Sequence, residues 1–498
     1  MITFTKAKSL LTYHLSLLVL FLLFSCGGDV KIAGSVDEEP DIFPDYKEVT
    51  IPVNIAPLNF ALNKAEGIPT RLKIEAGGHT ITVKGDNGSF DIPQRKWRKM
   101  LEASQGTALT FTVVRKDKDG WMAMKPFHVN VVADKVDPYI AYRLIAPGYI
   151  VWKKMGIYQR CVENFEQTPI FENKLTTYNC VNCHLFQQRS PERLIFHARN
   201  RHGGMVYADS EKIEKLNTKT DQTITPLVYG FWHPTADYVA FSTNQTRLVN
   251  FMHNENYMEV YDFESDVVVY NIRTHEITTC PQLSSSKAFE TFPAFSPDGK
   301  SIYFCSADSV APMPERYLDT HYSLCRIDFD AEKGTFGEKV DTLYNARQTK
   351  MSVSFPRVSP DGRYLCFTLH RYGNFSIWQR DADLCMLDLS TGEMHMLDDV
   401  NSQQSDSYHS WSSTGRWMVF SSRRVDGIYT RPFFTYVDAD GHAHKPFMLP
   451  QRNPRKFYSS LMYSYNIPEF LEGKVTIPQA DIARHMRNTE PMRVTFKN

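Results

Sequence analysis

A repeated sequence pattern constrains the fold of this chain more than any other feature. Two copies are clear, "FPAFSPDGKSIYFCSA" (292–307) and "FPRVSPDGRYLCFTL" (355–369), and two are weaker, "GFWHPTADYVAFST" (230–243) and "YHSWSSTGRWMVFSS" (408–422). Each copy is typical of a strand, a turn built on Pro, Asp or Gly, and a second strand. A second strand pair follows each copy, so the period is about 50 to 60 residues with four strands. The pattern predicts an all-β fold containing a β-propeller.

A fifth, degenerate copy of the repeat is "CHLFQQRSPERLIFHAR" (183–199). Aligning it with the clearest copy places Phe186 on Phe295 and Phe196 on Phe304. The stretch "NCVNCHLF" therefore begins the innermost strand of a first blade, and innermost strands line the central channel of a propeller.

The remaining segments predict the domain organisation. A sixth blade is expected from an outer strand pair in 149–170 and further strands in 458–477, which together would close a six-bladed ring without an exposed edge. Alternating apolar and polar residues predict a small N-terminal β-sandwich-like domain at 46–137, with one helix-like insert at 93–104. The propeller is then expected over 138–498.

The N-terminus is typical of a secreted lipoprotein. Two lysines precede the apolar run "LSLLVLFLLF" (15–24), which is too short to cross a bilayer and so indicates a cleaved signal peptide at 1–25. "LFSC" resembles the lipobox of bacterial lipoproteins, which implies acylation of Cys26; an ordinary signal peptide with a chance cysteine is the alternative. Residues 26–45 include the acidic stretch "VDEEPD" and are expected to form a disordered tether.

The charge balance excludes some classes of partner. Lys+Arg and Asp+Glu number 56 each, so no overall field attracts the chain to nucleic acid. We expect contact with the membrane only through the lipid anchor, and a location in the cell envelope, on the periplasmic or outer face of the outer membrane.

The motif C-x-x-C-H at 180–184 is the feature of the sequence that most directly indicates a cofactor site. It is the attachment signature of c-type haem, in which Cys180 and Cys183 form thioethers and His184 is the proximal iron ligand. Two alternatives remain at this stage. Cys180 and Cys183 could form a structural disulfide, or they could bind zinc with Cys161 as a further ligand.

The second axial ligand of such a haem has several candidates. His197, His202 and Met205 follow the motif closely, and His409 takes the same position in its own repeat that His184 takes in the degenerate copy. A haem at the channel mouth would contact the residues that match Cys183 in the other blades, predicted as Phe231, Phe292, Phe355 and Tyr408.

Two resemblances support this interpretation. "SPDG" followed by a second strand pair resembles the TolB-type β-propeller repeat over about 225–450. Most of the chain after the signal is similar to a family of Bacteroidetes outer-envelope lipoproteins, often labelled cytochrome c biosynthesis proteins, through the stretches "VTIPVNIAPLNF" (49–60), "DPYIAYRLIAPGYIVWKKMGIYQR" (137–160) and "FENKLTTYNCVNCHLF" (171–186). This resemblance implies an envelope lipoprotein with a C-x-x-C-H site and a propeller.

Two functions compete at the level of sequence. The first is a membrane-tethered c-type haem protein that transfers electrons to, or senses the redox state of, an envelope partner. The second is a non-redox propeller scaffold that binds a partner protein and contains a Cys180–Cys183 disulfide. A hydrolase is disfavoured because the sequence contains no G-x-S-x-G elbow, and it contains no nucleotide-binding fingerprint either.

Overall fold

The structure is a computed structural model that describes residues 30–147, 154–251 and 255–497, which are mostly β-strand. Ten strands come first: β1 Ile32–Ser35, β2 Ile42–Phe43, β3 Val49–Pro52, β4 Phe60–Leu62, β5 Thr70–Ala76, β6 His79–Lys84, β7 Ser89–Phe90, β8 Ala108–Asp117, β9 Gly120–Ala123 and β10 Phe127–Val132. Strands β2, β4 and β7 form one sheet, and the other seven form a second sheet.

The helix-like insert is confirmed as α1, Gln94–Ala103. Its apolar face buries Trp97, Met100 and Leu101, as the 3.6-residue period predicts. The Trp97 indole donates a hydrogen bond of 3.0 Å to the carbonyl oxygen of Ile55, so the helix is fixed against the N-terminal sheets.

The stretch expected to be a tether contains two short strands. Strand β1 pairs in parallel with β9, and β2 pairs antiparallel with β4. The structure therefore differs from the expected disordered tether from Ile32 onward, because both short strands find an open sheet edge nearby.

Six further sheets follow along the chain. Their strands are β11 Tyr139–Ile145, β12 Gly156–Cys161 and β13 Gln167–Glu172; β14 Val181–Phe186, β15 Leu194–Ala198, β16 Gly204–Ala208 and β17 Ile213–Asn217; β18 Val228–Trp232, β19 Tyr238–Asn250, β20 Met258–Asn271 and β21 Glu276–Thr278; β22 Ala288–Phe295, β23 Ser301–Asp308, β24 Ser323–Asp330 and β25 Thr335–Tyr344; β26 Ser352–Val358, β27 Tyr364–His370, β28 Asp383–Asp388 and β29 Met394–Met396; β30 Asp406–Trp411, β31 Trp417–Ser422, β32 Arg431–Tyr436 and β33 Phe447–Met448; then β34 Ser464–Leu471, β35 Met492–Arg493 and β36 Thr495–Phe496.

Each of these sheets contains four consecutive strands that pair antiparallel. Sheet 1 has the order β34-β11-β12-β13, and sheets 2 to 6 begin with β14, β18, β22, β26 and β30 and continue in chain order. The inner strands β34, β14, β18, β22, β26 and β30 each contact the next, and β30 contacts β34 again. The sheets therefore follow one another around a closed cycle, which is a propeller-like architecture.

Sheet 1 joins the two ends of this region. Strand β34 pairs antiparallel with β11, with Tyr139 opposite Leu471 and Leu144 opposite Tyr465. The predicted joining of the C-terminal segment to strands before the motif is confirmed. One detail is corrected: the second inner strand is Tyr139–Ile145, which precedes 149–170, and residues 458–460 belong to a helix. Residues 148–153 lie outside the described part of the chain.

The N-terminal sheets pack against sheets 1 and 6. Strand β3 contacts β32 and β33, and Trp417 of β31 donates a hydrogen bond of 3.0 Å to the carbonyl oxygen of Asp134. The core here is continuous and contains Phe60, Phe111, Trp417 and Phe434, all buried.

Short helices and the C-terminal tail complete the fold. The α-helices are α2 Ala346–Thr349, α3 Pro454–Ser460 and α4 Gln479–Asn488, and the 3₁₀ turns are Asn173–Thr176, Gln187–Arg189, Tyr317–Asp319 and Ser376–Trp378. Strands β35 and β36 add to the outer edges of sheets 2 and 3. Among the helices of the described residues, none has the length and apolar composition needed to cross a membrane.

Candidate functional site

Each inner strand contains a β-bulge of the same form. Two successive residues drop out of the pairing register with the neighbouring strand. The first of the two has a left-handed backbone with φ between 50° and 54°, and these six residues form what we call the bulge ring: Cys183, Tyr229, Phe292, Phe355, Tyr408 and Ile467. The second residue is His184, Gly230, Pro293, Pro356, His409 or Pro468. Proline is tolerated because a bulge leaves the ladder hydrogen bond unmade.

The bulge ring closes the middle of the sheet cycle. Ring centroids are 4.8 Å apart for Tyr229 and Phe292, 4.0 Å for Phe292 and Phe355, and 4.8 Å for Phe355 and Tyr408. Cavities lie on both sides, and four members of the bulge ring, Cys183, Tyr229, Tyr408 and Ile467, line both of them. The bulge ring is therefore a partition across the channel.

The two cavities differ in their charged residues. The first, which we call the histidine chamber, is lined by His184, His409, Arg189, Arg357 and Glu469, and its volume is about 130 Å³. The second, which we call the arginine chamber, is lined by Arg143, Arg199 and Arg423, and its volume is about 240 Å³.

The predicted equivalence of Cys183 with residues of other blades is confirmed in part. Phe292, Phe355 and Tyr408 occupy the same bulge position, and His409 occupies the position of His184. The prediction for Phe231 is wrong, because the bulge of that strand falls two residues earlier, at Tyr229. Phe231 instead lines the histidine chamber, 4.9 Å from the guanidinium carbon of Arg357.

Only one of the two ring nitrogens of His184 has a hydrogen-bond partner among the described residues. Its side chain is fully buried, and its Nδ1 lies 2.6 Å from Glu469 Oε1. A carboxylate only accepts hydrogen bonds, so Nδ1 carries the proton. The Nε2 atom of His184 is buried and has no hydrogen-bond partner within the described residues.

His409 presents a second imidazole nitrogen to the same chamber. Its Nε2 lies 2.9 Å from the carbonyl oxygen of Cys366 and therefore carries the proton. Burial lowers the pKa of His409 to about 3, so the ring is neutral at physiological pH. Its Nδ1 is a buried acceptor without a partner among the described residues.

Arg357 places a cation in this chamber. Burial lowers its pKa to about 10, and the attraction of Glu469 opposes that shift. The guanidinium therefore stays charged, and it donates one hydrogen bond of 2.8 Å to the carbonyl oxygen of Pro356. Arg357 and Glu469 were not singled out in the sequence, since neither belongs to a motif and Glu469 reaches His184 only through ring closure.

The two motif cysteines lie in different surroundings. Cys183 lines both chambers, whereas Cys180 packs against the apolar cluster between sheets 1 and 2, which includes Val181 and Phe196. Both thiols are free. The expected alternative of a Cys180–Cys183 disulfide is therefore absent from the structure, because the bulge at Cys183 directs the two side chains to separate environments.

Of the four candidate axial ligands, only His409 lines the histidine chamber with His184. His197 is buried, with a pKa lowered to about 4 by burial, and Met205 lies opposite it on the next strand. His202 lies in the turn between β15 and β16, where burial, Arg201 and Lys215 lower its pKa. None of these three is among the described residues that line the histidine chamber.

Two further expectations concern metal and lipid. The described residues contain no group of three or more His, Cys, Asp or Glu side chains able to hold a metal ion, so no zinc site forms there with Cys161. Cys26 lies outside the described residues.

The residues fit a covalent haem only in part. An imidazole with Nδ1 bound to a carboxylate and Nε2 free suits a metal ligand. Thioether attachment also requires two thiols at one porphyrin edge, and Cys180 packs in the cluster between two sheets. A chamber of about 130 Å³ is also well below the about 300–1,000 Å³ of pockets for ligands of drug size. The arrangement as a whole does not fit haem c, whose attachment stays a prediction from the motif.

Comparison with known proteins identifies no family for this chain. Neither the family models nor the curated proteins contain a match. Among solved structures, an oligogalacturonate lyase in complex with manganese is 11% identical over 64% of this chain and 74% of its own, with a TM-score of 0.36. A puromycin hydrolase is 11% identical over 62% of this chain and 45% of its own, with a TM-score of 0.38. A DUF4784 family protein from Bacteroides caccae is 9% identical over 73% of this chain and 98% of its own, with a TM-score of 0.29.

Proposed function

We propose that this chain is a haem-free binding scaffold of the cell envelope, and that its channel binds a small hydroxylated ligand in the histidine chamber. One observation carries the proposal: His184 Nε2 and His409 Nδ1 are buried, lack partners among the described residues and belong to residues that line the same chamber. Buried polar groups in proteins are normally hydrogen-bonded. A hydroxylated ligand, whose groups both donate and accept hydrogen bonds, would satisfy both nitrogens.

The scaffold in this proposal is a six-bladed propeller with an N-terminal β-sandwich-like domain. Six sheets, each with four antiparallel strands, in a closed cycle of inner strands support the blade number. A seven-stranded and a three-stranded sheet with a shared apolar core support the N-terminal assignment. The closing strand β34 removes the free edge that an open ring would expose.

The chamber chemistry favours a hydroxyl over a metal ion. His409 Nδ1 is a free acceptor. The guanidiniums of Arg189 and Arg357 outnumber the single carboxylate, Glu469, among the residues lining the chamber, so charge repulsion disfavours a bound cation. A hydroxyl group donates to an imidazole and accepts from a guanidinium. Aromatic side chains, including Phe355 and Trp411, provide flat apolar walls, which suit the carbon face of a sugar ring.

Tryptophan fluorescence tests this site, because Trp232 and Trp411 line the chamber. We expect titration with D-glucose to change the emission saturably, and His184→Phe to abolish the change. The control is His395→Phe, which alters an exposed histidine and should leave the response intact. An unchanged response in His184→Phe, or no response in the native chain, would overturn the site.

Haem staining separates this proposal from a c-type cytochrome. The chain is expressed in a host with cytochrome c maturation machinery and run on a denaturing gel, where covalent haem survives. We expect no stain, because Cys180 is packed between sheets 1 and 2. A stain that disappears in Cys180→Ala with Cys183→Ala would establish haem attachment and replace the scaffold by a redox protein.

The envelope location rests on the lipobox-like sequence before Cys26. Acyl chains on Cys26 would tether the propeller close to the membrane, where an envelope protein is its expected partner. Cys26→Ser should move the protein from the membrane pellet to the soluble fraction. A variant that still pellets would contradict lipidation at this residue.

A further inference from the structure

The arginine chamber lies on the side of the bulge ring away from His184 and Glu469. Its three arginines come from three different sheets: Arg143 from β11 of sheet 1, Arg199 from the end of β15 in sheet 2, and Arg423 from the end of β31 in sheet 6. All three line one cavity together with Cys183, Tyr229 and Tyr408. None of the described residues lining this cavity carries a carboxylate.

The three guanidiniums have no ion-pair partner among the described residues, although Arg423 feels the carboxylate of Asp426 at longer range. In the described part of the chain, no ion pair includes Arg143, Arg199 or Arg423. Arg143 Nε is buried without a hydrogen-bond partner there. Arg423 is 4% exposed and donates to backbone carbonyls only, at 2.7 Å to Ile377 and also to Ile428.

Arginines elsewhere in the molecule are compensated in two ways. Arg424 contacts Asp406 at 2.8 Å and the buried Arg431 contacts Asp426 at 3.3 Å, whereas the buried Arg160 donates to three backbone carbonyls, those of Cys161, Asn164 and Pro450. Burying a cation is costly unless an opposite charge or a full set of acceptors compensates. Burial lowers the pKa of Arg423 to about 9, in line with this cost. The side chain still stays charged at neutral pH. The arginine chamber therefore brings the buried Arg423 together with the partly buried Arg143 and the exposed Arg199, and no carboxylate is among the described residues that line it.

We infer that the arginine chamber binds a small organic oxyanion, either a carboxylate or a phosphate ester. Guanidinium groups bind both through paired hydrogen bonds. The chain has no net charge, so the attraction comes from the local cluster. Asn182, Ser464 and Thr246 also line the chamber and offer neutral hydrogen bonds.

The walls of the chamber favour an organic anion over an inorganic ion. Phe375 and Trp378 line it, and Arg423 is fixed with its guanidinium carbon 3.3 Å from the Trp378 ring centroid. An aromatic or aliphatic group of the ligand would pack against these side chains while its anionic group meets the arginines. This inference does not depend on the hydroxylated ligand of the histidine chamber, because the two sites lie on opposite sides of the bulge ring.

Isothermal titration with matched ligands tests the inference. Benzoate carries a carboxylate, phenyl phosphate carries a phosphate, and benzyl alcohol has the same ring without a charge. We expect at least one of the two anions to bind the full-length protein, and we expect benzyl alcohol not to bind. The anion with the higher affinity shows whether the natural ligand is a carboxylate or a phosphate ester. Affinity should fall as the salt concentration is raised from about 50 to about 500 mM, since the added ions screen the charges of the arginines.

Two arginine variants locate the site. Arg143→Gln and Arg199→Gln should each weaken anion binding by about 10- to 100-fold, because each removes a charged hydrogen bond. Arg423 is left unchanged because it also holds the backbone at Ile377 and Ile428. The matched control Arg347→Gln removes an exposed arginine that pairs with Asp308, and it should bind as the native protein does.

Three outcomes would overturn the inference: no binding of either anion, equal binding of benzyl alcohol, or equal weakening in Arg347→Gln and Arg199→Gln. Thermal unfolding of each variant checks that it is folded. Arg199 is exposed and its removal leaves the core intact, so its variant keeps the test decisive if Arg143→Gln is unstable. Glucose binding and haem staining are independent of all these results.

Discussion

The hydrogen bond between His184 and Glu469 connects residues that are 285 positions apart in the chain. The second carboxylate oxygen of Glu469 accepts a hydrogen bond of 3.2 Å from the backbone N–H of Phe186. One side chain of the closing strand β34 therefore binds two residues of β14 across the last junction of the ring. The histidine of the C-x-x-C-H motif thus contributes to closure.

Replacing Glu469 by glutamine should destabilise the protein by about 1.5–3 kcal/mol, the range for a hydrogen bond to a charged group. A glutamine amide can accept from only one of the two donors, because its NH₂ group faces the other. The midpoint of urea unfolding measures the loss. The control Glu472→Gln alters a side chain that is 54% exposed and 3.8 Å from Arg189, and it should change stability by less than about 0.5 kcal/mol. Equal midpoints for both variants would contradict the closure role.

Alignment of the internal repeats predicted three members of the bulge ring, but it did not predict the hydrogen bond between His184 and Glu469. Phe292, Phe355 and Tyr408 were recognisable because proline or histidine follows an aromatic residue at the same point of each repeat. The bulge position of β18 was assigned to Phe231 instead of Tyr229, because both residues are aromatic. A left-handed φ cannot be recognised from the residue type when the residue is not glycine. Glu469 could not be found, since its proximity to His184 depends on the order in which the ends of the ring meet.

At the scale of elements, closure depends on a single strand. Sheet 1 takes three strands from before the motif and only β34 from the C-terminal segment. The repeat predicted that both ends contribute, but β11 precedes the segment assigned to the outer pair. A lone strand far from its partners in sequence gives no local periodic signal, so its pairing register could not be predicted.

Deleting all residues after Pro454 should cause aggregation, because it removes β34, exposes the edge of β11 and leaves His184 and the N–H of Phe186 without their partner Glu469. Size-exclusion chromatography with light scattering measures the outcome. The control deletion after Asn488 removes only the two-residue strands β35 and β36, so it should remain monomeric. A monomeric, cooperatively folding product of the longer deletion would contradict closure by β34.

At the scale of the whole molecule, burial of histidines couples stability to pH. Burial lowers the pKa of His197 to about 4, of His370 to about 4 and of His409 to about 3. The unfolded chain protonates these rings near pH 6.5, whereas the folded chain keeps them neutral down to the lower values. At these three sites the unfolded state binds more protons below pH 6.5, so each histidine lowers the free energy of unfolding as the pH falls toward about 4. Buried carboxylates act in the opposite direction, because burial raises the pKa of Asp262 and Asp383 to about 7 and of Glu290 to about 8.

Each of the three histidines should lower the free energy of urea unfolding by at most about 2 kcal/mol between pH 7.5 and pH 5, at the 1.4 kcal/mol per pH unit of a single proton. His197→Phe removes one titrating ring at a site where His197 Nδ1 has no partner among the described residues. Relative to the native chain, this variant should therefore be more stable at pH 5 than at pH 7.5 by up to about 2 kcal/mol. His395→Phe, at an exposed histidine, should show no such pH-dependent gain, and its absence in His197→Phe would show that His197 titrates normally in the folded protein.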